Sequence, residues 1–368
     1  MPESPMEESN WFDRLAGSLT EAGFETHQFL AGEGRLLVTT HAARVLACEM
    51  PGLPGNAFWH NPRLERTDDA REVMAAAGGG LGGDRLWIAP EVGFIFSDLP
   101  AARIDPLANE ALPPVMDPAA WSVDTRSTGG VTLTTDMTLR DHRLLRRIEL
   151  HATRQLELVA APAQVPPGVS HLGFALRNEL VRAGGDEEAM AGAWDLLQLR
   201  PVGTLHCPAT VAGLSPRSYY DPFGEHHVHA DATGIRFLID GKRRVKMGLL
   251  AEHTTGRMAF FQPAEDGRRA LAILRIFAPQ PGEPYVDLPR DSDELLGGDC
   301  LQAYNHLEGI GDFPPFGEME YHDPALFVGC GPERRAGQCV THVFTGETEA
   351  VRQAVEPMLG MELRALEP

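Results

Sequence analysis

Basic residues are scarce in this chain. Only 32 Lys and Arg stand against 52 Asp and Glu among 368 residues, a formal charge of -20. A surface of that sign repels the phosphates of nucleic acid and of anionic lipid, so neither nucleic acid nor a membrane is expected as a partner. Cysteine is sparse too. Cys48, Cys207, Cys300, Cys330 and Cys339 are odd in number and scattered, without the paired spacing of a zinc site, so reduced structural thiols in a cytoplasmic protein are expected. No apolar run reaches bilayer length, and the acidic opening Met1-Pro2-Glu3-Ser4-Pro5-Met6-Glu7-Glu8 lacks the basic-then-apolar order of a secretion signal. His-Glu-x-x-His, the P-loop and Gly-x-Ser-x-Gly do not occur, which leaves metalloprotease, nucleotide hydrolase and serine hydrolase without support.

What is present is a soluble globular composition, 43% hydrophobic and 23% charged. Trp11, Phe12, Leu15 and Leu19 recur at helical spacing behind Ser9 or Asn10 as cap, predicting a short N-terminal helix at about 9–23. Other helical pattern is limited to Asp68 to Ala77, Glu187 to Ala193 and Glu347 to Leu359. The rest reads as short apolar or β-branched runs: 36–40, 44–48, 131–134, 144–150, 155–159, 172–180, 257–261 and 270–277. Many short strands at near-regular intervals predict an all-β sandwich or barrel, here one large antiparallel domain over 1–368 with a few short peripheral helices. Ile235 to Ile239, Asp240-Gly241 and Lys242 to Met247 predict a tight hairpin, whose Lys/Arg cluster is read as a solvent face.

Gly317-Glu318-Met319-Glu320-Tyr321-His322-Asp323-Pro324 stands out as a strand whose period of two lines up Glu318, Glu320 and His322 on one face. Two carboxylates so close repel when both are charged, which raises one pKa and suits proton transfer near neutrality. Gly78 to Gly83 satisfies G-x-G-x-x-G, but a helical pattern precedes it and a strand follows, the reverse of a dinucleotide site. Its glycines permit a close backbone approach that presents Asp84 and Arg85 at the rim of a cavity. In Glu225 to Asp231, His227 and His229 share a strand face at the spacing of two imidazole ligands. An ordinary polar face, with no cofactor, is the stronger expectation, and a divalent metal the weaker. Trp and Tyr number only five each, and they cluster with polar groups around His60, Trp87, Trp194 and Asn305, as a sugar pocket requires.

Taken in order, Asn56-Ala57-Phe58-Trp59-His60, Gly82 to Glu91, Trp194-Asp195-Leu196-Leu197-Gln198 and Gly317-Glu318-Met319-Glu320 resemble the galactose mutarotase-like (aldose 1-epimerase) superfamily, in a poorly characterised bacterial branch. The resemblance implies a β-supersandwich of large antiparallel sheets around a sugar-sized cleft. It also implies a late-strand Glu that removes the anomeric proton while a His protonates the ring oxygen. Carried onto this sequence, Glu320 is the first choice for base and Glu318 the second, with His322 beside them. Arg85, Asp84, His60, Trp87, Trp194 and Asn305 would hold a small-molecule sugar or sugar acid. The acid His of the family's glycine turn and of its central strand is replaced here by Asp84-Arg85 and Arg177-Asn178-Glu179, leaving His60, His322 or the 226–229 cluster as substitutes. Three functions follow: an isomerase of sugar anomers, a non-catalytic sugar or sugar-acid binder, and a lyase or hydrolase on acidic saccharides in which Arg85 neutralises a uronate.

Overall fold

The computed structural model describes residues 10–76, 80–98, 100–101, 110–220, 222–224, 226–311 and 313–367. Two ten-stranded antiparallel sheets pack face to face. The first runs β1 (Thr26–Ala31), β2 (Gly34–Thr39), β3 (Arg44–Glu49), β4 (Asp84–Ala89), β9 (Met190–Leu199), β18 (Gly317–His322), β17 (Leu301–Asn305), β14 (Val245–Leu249) and β11 (Arg217–Ser218), with β19 (Leu326–Phe327) also pairing β9. The second runs β12 (Val228–Ala230), β13 (Gly234–Ile239), β10 (Gly203–Pro208), β15 (Arg257–Pro263), β16 (Arg269–Phe277), β20 (Arg334–Glu347), β8 (Ser170–Gly185), β7 (Arg146–Val159), β6 (Gly130–Asp141) and β5 (Ser122–Arg126). Leu86, Ile88, Leu197, Met319 and Tyr321 of the first sheet meet Leu150, Ala152, Leu176, Ile273 and Val343 of the second in one continuous apolar core.

That core contains a buried ionic cluster. Arg154 of β7 and Arg275 of β16 reach across to Asp84 of β4 and Asp195 of β9, and Asn178 donates to Asp195 Oδ2 at 2.8 Å. Arg154 occupies one of the inward positions of β7, in the sequence Ile148, Leu150, Ala152, Arg154, Leu156. This explains why 144–150 and 155–159 read as two strands whereas the structure has one. An arginine in an inward slot breaks the apolar alternation without breaking the strand.

The outer faces are covered unequally. Helix α1 (Trp11–Glu21) and helix α2 (Thr67–Ala75) pack Trp11, Phe12, Leu15 and Met74 on Leu37 and Leu46 of β2 and β3. The C-terminal helix Thr348–Leu359 packs Val351 and Val355 on Phe261 and Ala272 of the second sheet. Over β4, β9, β18, β17 and β14 the described residues place no long helix, only the single turn Glu91–Phe94 that follows β4. Helix α1 lies inside the expected 9–23. Asn10 makes no side-chain capping bond, and Ser9 falls outside the described residues, as does Ala77 at the end of the second predicted helix.

Two expectations are corrected. The helix predicted at 187–193 is absent: Met190 begins β9, every residue of which is buried, and burial on both faces erases the period of two. The hairpin predicted across Asp240-Gly241 is also absent, because β13 and β14 lie in different sheets. Asn305 takes the role a hairpin partner would have had. Its Oδ1 accepts from the Asp240 and Gly241 backbone N–H groups at 3.1 and 3.0 Å, and its Nδ2 donates to Asp240 Oδ1 and to the Arg243 carbonyl at 2.9 Å each.

Candidate functional site

The outer face of the first sheet carries a stripe of large and charged side chains because five neighbouring strands stay in register. Trp87 of β4 lies opposite Trp194 of β9, Trp194 opposite His322 of β18, Glu318 of β18 opposite Tyr304 of β17, and Tyr304 opposite Lys246 of β14. Directly opposed residues stand about 5 Å apart at Cβ, so these groups are neighbours. Above them lies a cavity of about 500 Å³, walled by Arg85, Trp87, Trp194, Glu318, Tyr304 and Lys246, and further by Glu91, Glu110, Tyr220, Arg244, His306 and Phe316. The glycine turn before β4 lets the backbone close in here. A Cβ on Gly83, whose φ is 71°, would stand 2.4 Å from the Val45 carbonyl oxygen.

Ion pairs organise the floor. Arg85 Nη2 donates to Glu318 Oε1 at 2.7 Å, and its guanidinium lies 4.2 Å over the Trp87 ring. Lys246 Nζ stands 3.2 Å from Glu320 Oε2 and 3.5 Å from Glu91 Oε2, and Trp194 Nε1 donates to Glu320 Oε2 at 2.7 Å. Burial pushes the Glu320 carboxyl up to about 7, against the pull of Lys246 and with help from the Glu318 charge. Glu91 moves the other way. Burial opposes its ionisation, but Lys246 and Arg290 outweigh it and hold the carboxyl below its ordinary value. Several buried polar atoms on this floor have no protein hydrogen-bond partner among the described residues: Arg85 Nε and Nη1, Glu320 Oε1, Gln302 Oε1 and the Gln198 amide. Gln198 and Gln302 flank β18, opposite Glu318 and Glu320. Of these residues Arg85 lines the cavity, and a buried polar atom left unmatched is costly.

One wall is an aromatic shelf. His306 stacks on Phe316 with centroids 4.6 Å apart and planes 5° from parallel. Its Nε2 lies 2.8 Å from the Ile310 carbonyl, which can only accept, so Nε2 carries the proton and Nδ1 accepts the Tyr304 hydroxyl at 2.7 Å. Burial keeps His306 below the ordinary histidine range and Tyr304 above the ordinary tyrosine range, so this pair is neutral near pH 7.

The residues expected from sequence are distributed as follows. Arg85, Trp87, Trp194 and Glu318 come together at the cavity. Glu320 and His322 share the face of Glu318 but lie under cover, Glu320 with 0% of its surface exposed and His322 stacked on Trp194 at 5.2 Å. Burial, aided by the Lys246 charge, holds His322 well below the ordinary histidine range. Asp84 points the other way, into the ionic cluster between the sheets. His60 lines a separate hollow of about 400 Å³ with Trp11 and Arg200, accepts from Asn56 Nδ2 at 3.1 Å and meets Glu65 Oε1 at 3.2 Å. Asn305 anchors the 240–243 turn rather than facing the cavity. His227 Nε2 approaches Asp240 Oδ1 at 3.3 Å, His229 is exposed, and Glu225 lies outside the described residues. Among the described residues no three His, Cys, Asp or Glu side chains cluster closely enough to hold a metal ion. No described helix is long and apolar enough to cross a membrane.

Tyr304 and His306, which the sequence offers as neighbours of Asn305 in the aromatic and polar segment 302–306, also line the cavity, whereas Glu91, Arg244 and Lys246 were missed. The last two sit in the basic run that resembles a solvent face. The available signal was Lys246 at an alternate position of a strand with apolar neighbours.

A family model described as a family of unknown function, DUF6786, matches residues 30–368. No curated protein matches the sequence. Among solved structures, one from Escherichia coli K12, described provisionally as an aldose 1-epimerase, superposes with a TM-score of 0.51 at 9% identity, covering 87% of this chain and 99% of that one. A galactose mutarotase-like protein from Lactobacillus casei ATCC 334 gives 0.47 at 10% identity, covering 87% and 100%. The first of these likenesses shows the fold, a galactose mutarotase-like β-sandwich.

Proposed function

The chain belongs to the DUF6786 family, of unknown function, and from its cavity we propose that it binds a free sugar or sugar derivative and interconverts the anomers by acid–base catalysis. The observation that carries this reading is Glu318, a carboxylate ion-paired to Arg85 that lines the same cavity as Trp87 and Trp194 and stands opposite Tyr304 on the neighbouring strand. The aromatic edges on the cavity wall suit the apolar C–H groups of a pyranose, and the unmatched Arg85 nitrogens suit its hydroxyls. Glu318 takes the proton of the anomeric hydroxyl while Tyr304 gives its proton to the ring oxygen, and the C1–O5 bond opens to an aldehyde. Rotation and reclosure on the other face return both protons. Arg85 orients Glu318, and His306 Nδ1 holds the Tyr304 hydroxyl proton before the sugar enters, so the hydroxyl turns from His306 to the ring oxygen for the transfer. Glu318 rather than Glu320 is the base here because its carboxylate borders the cavity.

The experiment is polarimetry or exchange NMR on freshly dissolved aldoses. Wild type is expected to accelerate equilibration, with a loss of at least about 100-fold in Glu318→Gln. No acceleration, or equal acceleration by the variant, rejects the reading. Binding without turnover is the second reading. It is favoured by the Arg85–Glu318 contact, which occupies one carboxylate oxygen before any sugar enters.

A further inference from the structure

Arg244 differs from the other cations that border the cavity. Arg85 has Glu318 at 2.7 Å, and Lys246 has Glu320 at 3.2 Å and Glu91 at 3.5 Å. Arg244 has no carboxylate within ion-pair distance among the described residues. Its contacts are a bond from Nε to Tyr304 Oη at 3.3 Å and a face-on approach to the Tyr220 ring at 4.5 Å. Both contacts steady the guanidinium plane, and neither uses its two terminal amino groups. Tyr220 is also covered by Arg290 at 4.4 Å, and Arg290 lies 3.5 Å from the same Glu91 that faces Lys246. Glu91 is therefore shared between two cations, and Glu110, the remaining acid at this end, is not paired with Arg244. A half-buried guanidinium with its fork unused is the side chain best shaped to take a planar or tetrahedral oxyanion by two parallel hydrogen bonds.

Granting the sugar site proposed above, we infer that the sugar it takes carries an oxyanion substituent, a carboxylate or a phosphate, held by the terminal amino groups of Arg244. The ring then lies toward Trp87 and Trp194, and the anion lies at the Tyr220 end, where Lys246 and Arg290 add positive potential. A chain of formal charge -20 thus keeps three cations, Arg85, Arg244 and Lys246, on the wall of one cavity.

The test is isothermal titration calorimetry on the full chain with galactose, glucose, galacturonate, glucuronate and glucose 6-phosphate. An acidic sugar is expected to bind wild type at least about tenfold more tightly than its neutral counterpart. That ratio is expected to fall to about one in Arg244→Met, which keeps the apolar stem on Tyr220, and to an intermediate value in Arg244→Lys, which keeps the charge but not the fork. If Arg244→Met does not fold, as judged by near-UV circular dichroism, Arg244→Lys decides. Preference for the uronates assigns a carboxylate, and preference for the 6-phosphate assigns a phosphate. Neutral sugars binding as well as acidic ones, or a preference that survives both substitutions, overturns the oxyanion and leaves the sugar site standing. No binding of any of the five removes both.

Discussion

Trp194 and Glu320 are joined by a 2.7 Å hydrogen bond from the indole Nε1 to Oε2, so the ring that borders the cavity is fixed from beneath by a carboxyl group with no exposed surface. Lys246 Nζ shares that oxygen at 3.2 Å and lies 4.5 Å from the Trp194 ring. The three side chains form one unit, which makes the charge state of Glu320 a property of the site as well as of the core.

Glu320 gives the first prediction. Its carboxyl is raised by burial from 4.5 to about 7. A carboxyl that binds its proton more tightly in the folded state contributes stability that is complete below pH 4.5 and lost as pH rises through 7. Glu320→Gln mimics the protonated form at every pH. Relative to wild type it should therefore gain about 2 kcal/mol between pH 5 and pH 8 in urea denaturation. A difference that is flat or of opposite sign contradicts this account.

Arg85 and Glu318 make the second case. Both are nearly buried, so removing one partner strands the other. Arg85→Met should cost about 3 kcal/mol in unfolding free energy and abolish sugar binding. The double variant Arg85→Met/Glu318→Gln should recover more than half of the stability but none of the binding. Calorimetry and denaturation on the same preparations separate the two effects.

The cluster between the sheets predicts an asymmetry. Despite burial, Arg154 and Arg275 hold Asp195 down at about 2, whereas burial and the Asp195 charge push Asp84 up to about 7. Asp195 is the acid on which both arginines depend for a full negative charge. Asp195→Asn should destabilise by about 3–5 kcal/mol, and Asp84→Asn by less than half as much. Equal losses in chemical denaturation would show that the two carboxylates share the charge evenly.

Trp87 and Trp194 meet edge to face with centroids 5.4 Å apart, and both border the cavity. Sugar titration should change the intrinsic fluorescence, and most of that change should disappear in Trp87→Phe and Trp194→Phe. Trp121, which belongs to the core, should be replaceable by Phe without loss of the signal. A signal indifferent to all three substitutions places the ligand elsewhere.

The strands and their density were legible because alternation survives wherever one face is apolar. Glu318, Glu320 and His322 were readable as one face for the same reason. The period of two does not say which of the three reaches open space, because that depends on what segments outside the strand, such as Glu91–Phe94, lay over it. Asp84 and Arg85 were read as a pair, yet adjacent strand residues point to opposite faces, and each answers to charges from strands that only the fold brings near. The basic run 242–246 misled most. Its composition is that of an exposed edge, and only the step between sheets turns Arg244 and Lys246 toward the cavity.

The turn at 240–243, clasped by the amide of Asn305, sets the phase with which β14 enters the first sheet. One residue more or fewer there would rotate Lys246 to the inner side and bring Val245 or Met247 out in its stead. The charge that faces the cavity is thus set by the length of a connector that is not part of its wall.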